Sequence, residues 1–552
     1  MTTALARTRA RILSVRWTDT RFVGACLLVT LALRLPFLTT PLGIDEGGYA
    51  YVASHWGSTD GALYGGQWVD RPPLLFALYA VAQFVADDLG IRVLGCLAAV
   101  VIVACCADTA RCVGGGRALR WSALVATVLA ASTISQATTV NAELPAVAFV
   151  SLGIWATTRA LVVHRARHAA AFALLAGVAG MSAVLVKQSF VDAFAFAAVA
   201  LVAFAIDARR LASAEARWAR WRRVVTVATL GAAAALAVVA IVLVWATTRG
   251  PGIHQLLDAL YGFRLEARGI IDGDAVAPRT REVFFVLLAA ASGMLVLFAI
   301  VAFGLVRAAG GLDVGVARHE RPARRAVAAG MVGAGIMALV GIVGGGNWWT
   351  HYLIQPTPFL AIGAGVVVAA PVQRRGLVIR ASRRVASFVV VATLLIWCGS
   401  IGWAAVEGTQ RSAASTGDWL RAAADPDDTA IVTWGHANVL ERSGLRTPYR
   451  LAWSLPVRVL DPRLRELLGI MRGPDAPTWI VEWRPIGSWK LDPDHAVRDT
   501  VAERYERVAT VCGKTIYRLR EPESPTDVSS LPAPPTTCGS GRGLSIGAVR
   551  LF

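Results

Sequence analysis

Residues 74–86, LLFALYAVAQFVA, are apolar apart from Gln83, and whether they cross a bilayer decides how the rest of the chain is laid out. At about 13 residues they are too short, because a helix needs roughly 20 residues to cover about 30 Å of hydrocarbon. They read as an interfacial or re-entrant helix. Around them lie eleven apolar stretches of adequate length: 22–39, 91–107, 119–136, 143–160, 169–186, 190–206, 224–246, 283–306, 326–343, 353–370 and 385–405. With eleven crossings and the N-terminus inside, the arginines of 111–120, 159–167, 209–223, 318–325 and 374–384 all fall in the cytoplasm. That is the excess of basic residues that cytoplasmic loops carry. A twelfth crossing at 74–86 would put most of these clusters outside. The sequence therefore predicts a polytopic α-helical membrane protein with about 11 transmembrane helices and one short interfacial helix.

Composition agrees. The chain has 552 residues, 55% hydrophobic and 17% charged, with mean hydropathy +0.54. That is more apolar surface than a soluble globular chain buries. The net charge of +18 is carried by arginine, Lys187, Lys490 and Lys514 being the only lysines. Nucleic-acid binding, the other meaning of such a balance, is excluded because the arginines form short clusters between apolar stretches rather than one face. The basic flank Arg7, Arg9, Arg11, Arg16 and Arg21 precedes an apolar run ending in Leu35-Pro36-Phe37, with no small-residue cleavage site. A retained signal anchor is expected. Cys26, Cys96, Cys105, Cys106, Cys112 and Cys398 lie in or beside apolar stretches and read as small packers. Cys512 and Cys538 fall in the soluble end, where they form a disulfide if that end is outside the cell. No CxxC or His-rich metal spacing occurs.

This topology predicts a basic cytoplasmic N-terminus over 1–21 and a transmembrane catalytic domain over 22–405, with its first outer loop at 40–90. The segment 406–520 reads as an extracytoplasmic α/β domain: strands at 429–433 and 478–482, helices at 412–424, 462–472 and 495–506, and a hairpin over 507–519 turning at Cys512-Gly513-Lys514. The Pro/Ser/Gly-rich tail 521–552 is expected to be disordered. Polar residues gather in the outer loops. The first, PLGIDEGGYAYVASHWGSTDGALYGGQWVDRPP over 41–73, carries Asp45, Glu46, Asp70 and Arg71. Glu143 opens the fourth span, Lys187 closes the fifth, and His351 precedes the tenth. Loop 247–282 reads as a lid or acceptor guide.

Together these pieces resemble one family. Leu33-Arg34-Leu35-Pro36 ends the first span, and Asp45-Glu46 follows with an aromatic-rich stretch. Asp70-Arg71-Pro72-Pro73-Leu74 comes next, then Glu143-Leu144-Pro145, Leu185-Val186-Lys187 and His351-Tyr352-Leu353, with Pro356 and Pro358 beyond. The order and spacing are similar to GT-C class membrane glycosyltransferases, the group of the protein O-mannosyltransferases and the lipid A aminoarabinose transferase. The soluble end, with Val432-Thr433-Trp434-Gly435 and Ile516-Tyr517-Arg518, is similar to bacterial members. The resemblance implies a polyprenyl-phosphate sugar as donor and transfer on the extracytoplasmic face of the plasma membrane. The acceptor would be an envelope glycan, glycolipid or protein. It also implies that Asp45 is the base and that Arg71, where many relatives have lysine, contacts donor phosphate.

The chemistry can be set beside blander readings. Sugar transfer from a phospholipid needs one carboxylate to take the acceptor proton and a cation to balance the departing phosphate, so one base suffices for inversion. Asp45 suits that base; otherwise it is a solvated loop acid. Glu46 either orients Asp45, or shares a divalent cation with it, or favours a helix N-terminus through the dipole. Asp70 has similar standing. Arg71 either meets phosphate with its planar fork or anchors at the interface. Pro72-Pro73 keeps it extended ahead of the helix. Glu143 is a site acid or a solvated helix-start acid. Lys187 and His351 contact phosphate or acceptor, or snorkel. Trp348, Trp349 and Tyr352 read as an aromatic belt, with sugar stacking by Trp68 or Trp349 as the lesser alternative. The rival function is a transporter or flippase of envelope lipids, against which stand the few intramembrane charges and the lack of repeat halves. A scaffold whose outer domain binds a partner is a third.

Overall fold

The computed structural model describes residues 2–56, 63–209, 211, 213–273, 276–310, 321–368, 377–406, 409–520, 528–538, 545–546 and 549–550. The chain divides into two compact units. One comprises Met1–Leu38, Arg92–Val242 and Arg279–Ser400; the other comprises Thr39–Ile91, Leu243–Pro278 and Ile401–Phe552. Residues 39–91 and 243–278 thus group with the C-terminal residues rather than with the helices next to them in sequence.

The first unit is helical. Among the described residues of the chain, eight helices are long and apolar enough to cross a membrane, or nine if a pair bent by 70° counts as one. The difference from eleven has identifiable causes. The stretch at 190–206 forms Asp192–Ala208, a helix of only 17 residues. The stretch at 283–306 is not straight: Pro278–Ala291 and Met294–Ala309 meet at 70°, where Gly293 takes a φ of +77° against the Phe388 ring. The run Pro73–Leu129 holds 57 residues, but Asp87 and Gly115 have φ of +45° and +67°. A right-handed helix turns sharply at such residues. A Cβ on Gly90 would lie 1.9 Å from the Ala82 carbonyl oxygen, although residues eight apart in a straight helix are about 12 Å apart. The chain therefore doubles back after 73–86, which is a short helix of its own.

One expected boundary is wrong. The span at 119–136 ends as a helix at Leu129, and turns follow to residue 142. The cause is Arg34, which is 2% exposed. Its guanidinium donates to the carbonyls of Ala130 at 3.2 Å, Thr138 at 3.4 Å and Ala137. Irregular backbone among apolar helices survives where protein groups satisfy it. The window Thr350–Val368 is wholly buried at the centre of this unit, while Ala214–Thr248 is mostly exposed. Its apolar residues Leu236, Ile241 and Val244 are 66%, 69% and 61% exposed, a surface suited to lipid. Helices approach closely where side chains are small: a Cβ on Gly177 would stand 2.0 Å from the Gly231 carbonyl. Acids clasp the arginines near the expected cytoplasmic ends. Asp19 accepts from Arg120 at 2.9 Å, Asp108 from Arg111 and Arg159 at 2.5 Å each, and Asp207 from Arg325 at 3.1 Å.

The second unit holds a four-stranded sheet of order β1-β2-β4-β3. The strands are β1 Ala430–Val432, β2 Trp479–Glu482, β3 Tyr505–Val511 and β4 Lys514–Leu519. β1 and β2 are parallel; β2–β4 and β3–β4 are antiparallel. The hairpin turns at Cys512 and Gly513, with φ of +51° and +73°, the pair of positive angles a tight two-residue hairpin needs. Helices Thr409–Ala423, Arg465–Arg472 and Ala496–Arg504 occur where the sequence predicts them. Of the tail 521–552, expected to be disordered, residues 528–538, 545–546 and 549–550 are described, and the rest of that expectation lies outside the described residues. Trp419 Nε1 donates to the Pro532 carbonyl at 2.8 Å, and Cys538 is disulfide-bonded to Cys512, so 528–538 is held down by two side chains that composition does not weigh.

Candidate active site

Asp45 and Glu46 open the helix Ile44–His55 in the second unit. The two carboxylates part at once. Glu46, fully buried, turns back to accept from the Gly43 N–H at 2.9 Å, closing the first helical turn as a capping acid does. Asp45 is half-buried, and its Oδ1 accepts from Trp453 Nε1 at 3.3 Å. A cation shared by this pair does not fit that divergence, and among the described residues no three His, Cys, Asp or Glu side chains converge as a metal site. Gly47 and Gly48 follow because the helix lies against other backbone and rings. A Cβ on Gly47 would be 2.3 Å from Asn438 Cβ, and one on Gly48 2.3 Å from Trp453 Cζ2.

Asp45 and Tyr49 are one turn apart, hence on one face. The Tyr49 ring meets Phe76 edge-on at 6.0 Å and Tyr79 at 5.9 Å, and lies 5.9 Å from Trp453. This aromatic node locks the helix that begins with Asp45 to the helix that begins at Pro73, just after Arg71. Arg71 Nη1 donates to Asp70 Oδ1 at 2.8 Å. The other oxygen of Asp70 takes Arg264, which stands on the helix Phe263–Gly273. One carboxylate thus gathers two guanidiniums. Burial pushes the Asp70 carboxyl up, but Arg264 and then Arg71 outweigh it and hold it below the usual carboxylate range. Burial, with Asp70 adding to it, pushes the Tyr64 phenol well up, so Tyr64 is a donor, and its hydroxyl donates to the Arg71 carbonyl at 2.7 Å. Gln255 Nε2 donates to the Tyr64 carbonyl at 2.8 Å. Trp68 is buried against Phe263 at 4.6 Å, which removes it as a sugar platform.

The other three expected residues meet in the first unit. Glu143 opens Glu143–Val162; its Oε1 accepts from Lys187 Nζ and lies 3.4 Å from His351 Nε2. His351 Nδ1 lies 3.4 Å from Gln136 Oε1. Lys187 is 4.4 Å from the centre of the Tyr352 ring. It neither snorkels nor lies exposed: all three side chains are buried. Tyr352 therefore belongs to this cluster rather than to a belt, whereas Trp349 is 46% exposed beneath the Arg281 guanidinium at 4.5 Å. Below it, Asp192 accepts from Gln355 Nε2 at 3.1 Å.

The structure thus joins Asp70 with Arg71, joins Glu143 with Lys187 and His351, and separates Glu46 from Asp45. Sequence reasoning missed Arg264, Trp453 and Gln136 as partners. Arg264 stands in a loop whose other charges look alike, Trp453 in a segment without helical or strand signal, and Gln136 inside a stretch assigned to a span.

No protein-family model and no curated protein matches the chain. Solved structures do. The chain is similar to ArnT from Cupriavidus metallidurans bound to undecaprenyl phosphate, with TM-score 0.55 and 15% identity over 91% of this chain and 97% of that one. It is also similar to the Archaeoglobus fulgidus oligosaccharyltransferase in complex with Zn and sulfate, with TM-score 0.52 and 14% identity over 78% of this chain and 62% of that one. At these identities the likeness is one of fold, and at that level it bears out the resemblance to GT-C membrane glycosyltransferases.

Proposed function

We propose that this chain is a glycosyltransferase that moves a sugar from a polyprenyl-phosphate donor to a cell-envelope acceptor on the outer face of the plasma membrane, with inversion. The observation that carries the reading is the aromatic node of Tyr49, Phe76 and Tyr79. It binds together the two helix starts that bear a carboxylate and a cation cluster, on a fold shared with a protein solved with undecaprenyl phosphate.

Asp45 takes the proton of the acceptor hydroxyl, whose oxygen forms the new bond to the anomeric carbon. The bond from that carbon to the phosphate oxygen breaks, and the polyprenyl phosphate keeps the electron pair. The lipid phosphate goes from one negative charge to two, which the guanidiniums of Arg71 and Arg264 offset as it develops. Arg71, held by Asp70 and by the Tyr64 hydroxyl on its carbonyl, presents a fixed fork. Glu143, Lys187 and His351 are read as a separate buried polar cluster of the first unit that orders the ends of their helices.

Eleven crossings follow if the 57-residue run contributes two beyond 73–86 and Asp192–Ala208 and the bent pair each contribute one. The Cys512–Cys538 disulfide suits an oxidising, extracytoplasmic location of the C-terminal end. The test is transfer by purified protein from a polyprenyl-phosphate sugar to candidate acceptors. Asp45→Asn is expected to lose about 100-fold to 10,000-fold in turnover, the range of a general base. Undiminished turnover ends the base assignment, and lipid movement across the bilayer without transfer ends the enzyme reading.

A further inference from the structure

Asp45 and Trp453 stand 408 residues apart in the chain, yet the indole Nε1–H of one donates to Oδ1 of the other at 3.3 Å. Among the described residues this is the carboxylate's one hydrogen-bond partner. The last torsion of an aspartate is broad, so a carboxylate left to itself turns easily about it. Nor does the helix start hold Asp45, because Glu46 already takes the Gly43 N–H. The indole N–H can only donate. It claims one oxygen of Asp45 and leaves Oδ2 to meet a proton.

The indole is itself held. Trp453 is extended, with φ of −114° and ψ of 148°, just ahead of the helix Ser454–Leu460, and its carbonyl accepts from the Val457 N–H at 3.3 Å. Its ring lies 5.9 Å from that of Tyr49 and so close over Gly48 that a Cβ there would be 2.3 Å from Cζ2. The residues around it are tied to the first outer loop at three points. Asn438 Nδ2 donates to the Leu42 carbonyl at 3.2 Å, the Thr447 N–H to the Tyr51 hydroxyl at 2.9 Å, and the Trp68 N–H to the Arg450 carbonyl at 3.2 Å. Burial pushes the Tyr51 phenol up, so it stays neutral. Behind them Tyr449 donates to Asp461 at 3.0 Å, and Arg450 meets Glu466 through two bonds of 2.8 and 3.0 Å. All of these residues belong to the second unit. A packing role alone would need the ring but not the direction of its N–H.

We propose that Trp453 is a positioning residue for sugar transfer: its indole N–H fixes the plane of the Asp45 carboxylate so that Oδ2 receives the acceptor proton. The inference rests on Asp45 being the base. Protonation of Oδ2 neutralises the carboxylate and weakens any bond to Oδ1. A long bond from a rigid donor therefore orients the base with less lost in the transition state than a short one. The C-terminal segment is then part of the transfer machinery rather than a partner-binding appendage.

The test uses full-length protein in nanodiscs, with farnesyl-phosphate mannose, glucose, galactose and arabinose in turn as donors and octyl glycosides as acceptors. Position 453 is filled with 3-benzothienylalanine, which keeps the ring shape but puts sulfur where the N–H was. The value of kcat is expected to fall about 10-fold to 100-fold, with KM within about threefold and the thermal midpoint unchanged. At the same position 5-fluorotryptophan, which keeps the N–H, should restore turnover to within about twofold. Added to Asp45→Asn, the sulfur analogue should cost less than about a further twofold, because the N–H acts through that carboxylate. Should the analogue fail to fold, Trp453→Phe replaces it. Independently of turnover, the ¹⁵N-indole resonance missing from Trp453→Phe should move in Asp45→Asn. An unmoved resonance, an undiminished kcat, or a loss confined to KM overturns the positioning role. When Asp45→Asn loses turnover and the position-453 variants do not, this inference alone fails. Undiminished turnover by Asp45→Asn, or none by the wild type with any donor while the resonance still moves, tells against the reading on which it rests.

Discussion

Arg264→Gln tests whether the segment from Leu243 to Pro278 completes the cation cluster around Asp70. Arg264 reaches one carboxylate oxygen of Asp70 while Arg71 holds the other, and Phe263 covers Trp68. Two unit charges at 4 Å in a medium of effective dielectric about 20 attract by about 4 kcal/mol. The Arg264 side chain is 30% exposed, so solvent screening and lost side-chain freedom bring the net effect down to about 1.5–3 kcal/mol. That corresponds to roughly a 10-fold to 150-fold rise in local opening. Hydrogen exchange over 253–273 and 63–71 should accelerate by that factor, with little change at the β3–β4 hairpin. In a double-mutant cycle with Asp70→Asn, the coupling should be about 1–2 kcal/mol. The pH dependence has a definite sign. Asp70 is held below the usual carboxylate value, so its contribution is fully present above about pH 4, where the unfolded carboxyl is ionised, and disappears as pH falls through the lowered native value. Without Arg264, burial gains weight, the native value rises, and acid opening should begin at higher pH. Coupling below about 0.3 kcal/mol, or an unchanged acid limb, refutes the account.

Lys187→Met strands Glu143 in a buried setting and should cost about 3 kcal/mol, seen as a lower unfolding midpoint; adding Glu143→Leu should restore most of it. Cys512→Ser opens a disulfide that closes a 26-residue separation. It should cost about 3.5 kcal/mol in the C-terminal segment, with protease sensitivity rising between Glu521 and Cys538, and reductant should reproduce this in the wild type. Orientation is checked by impermeant thiol labelling of intact cells: Asp475→Cys should react and His168→Cys should not, and the reverse pattern overturns the topology.

How far the sequence spoke depended on the range of the forces involved. Apolar runs declare helices because their driving force is a local property of the run, and the hairpin at Cys512-Gly513 was legible because a glycine between two alternating strands has few other uses. Where the sequence misled, a distant polar group had intervened. Leu129 ends its helix because Arg34 takes the carbonyls that follow. The tail reads as disordered until Trp419 and Cys512 reach it. The same holds at the candidate site. Asp45 and Arg71 could be picked out because each lies beside an apolar helix in a loop too rich to be a linker. Gly47 and Gly48 showed only as a permissive pair, although what demands them is Asn438 and Trp453 pressing on the helix. Arg264, too, looks like any arginine of its loop until Asp70 is seen to claim it. A single sequence records the type of a charge but not its partner. Hydrophobic order was therefore readable in advance, while the electrostatic closure of the site had to be found in three dimensions.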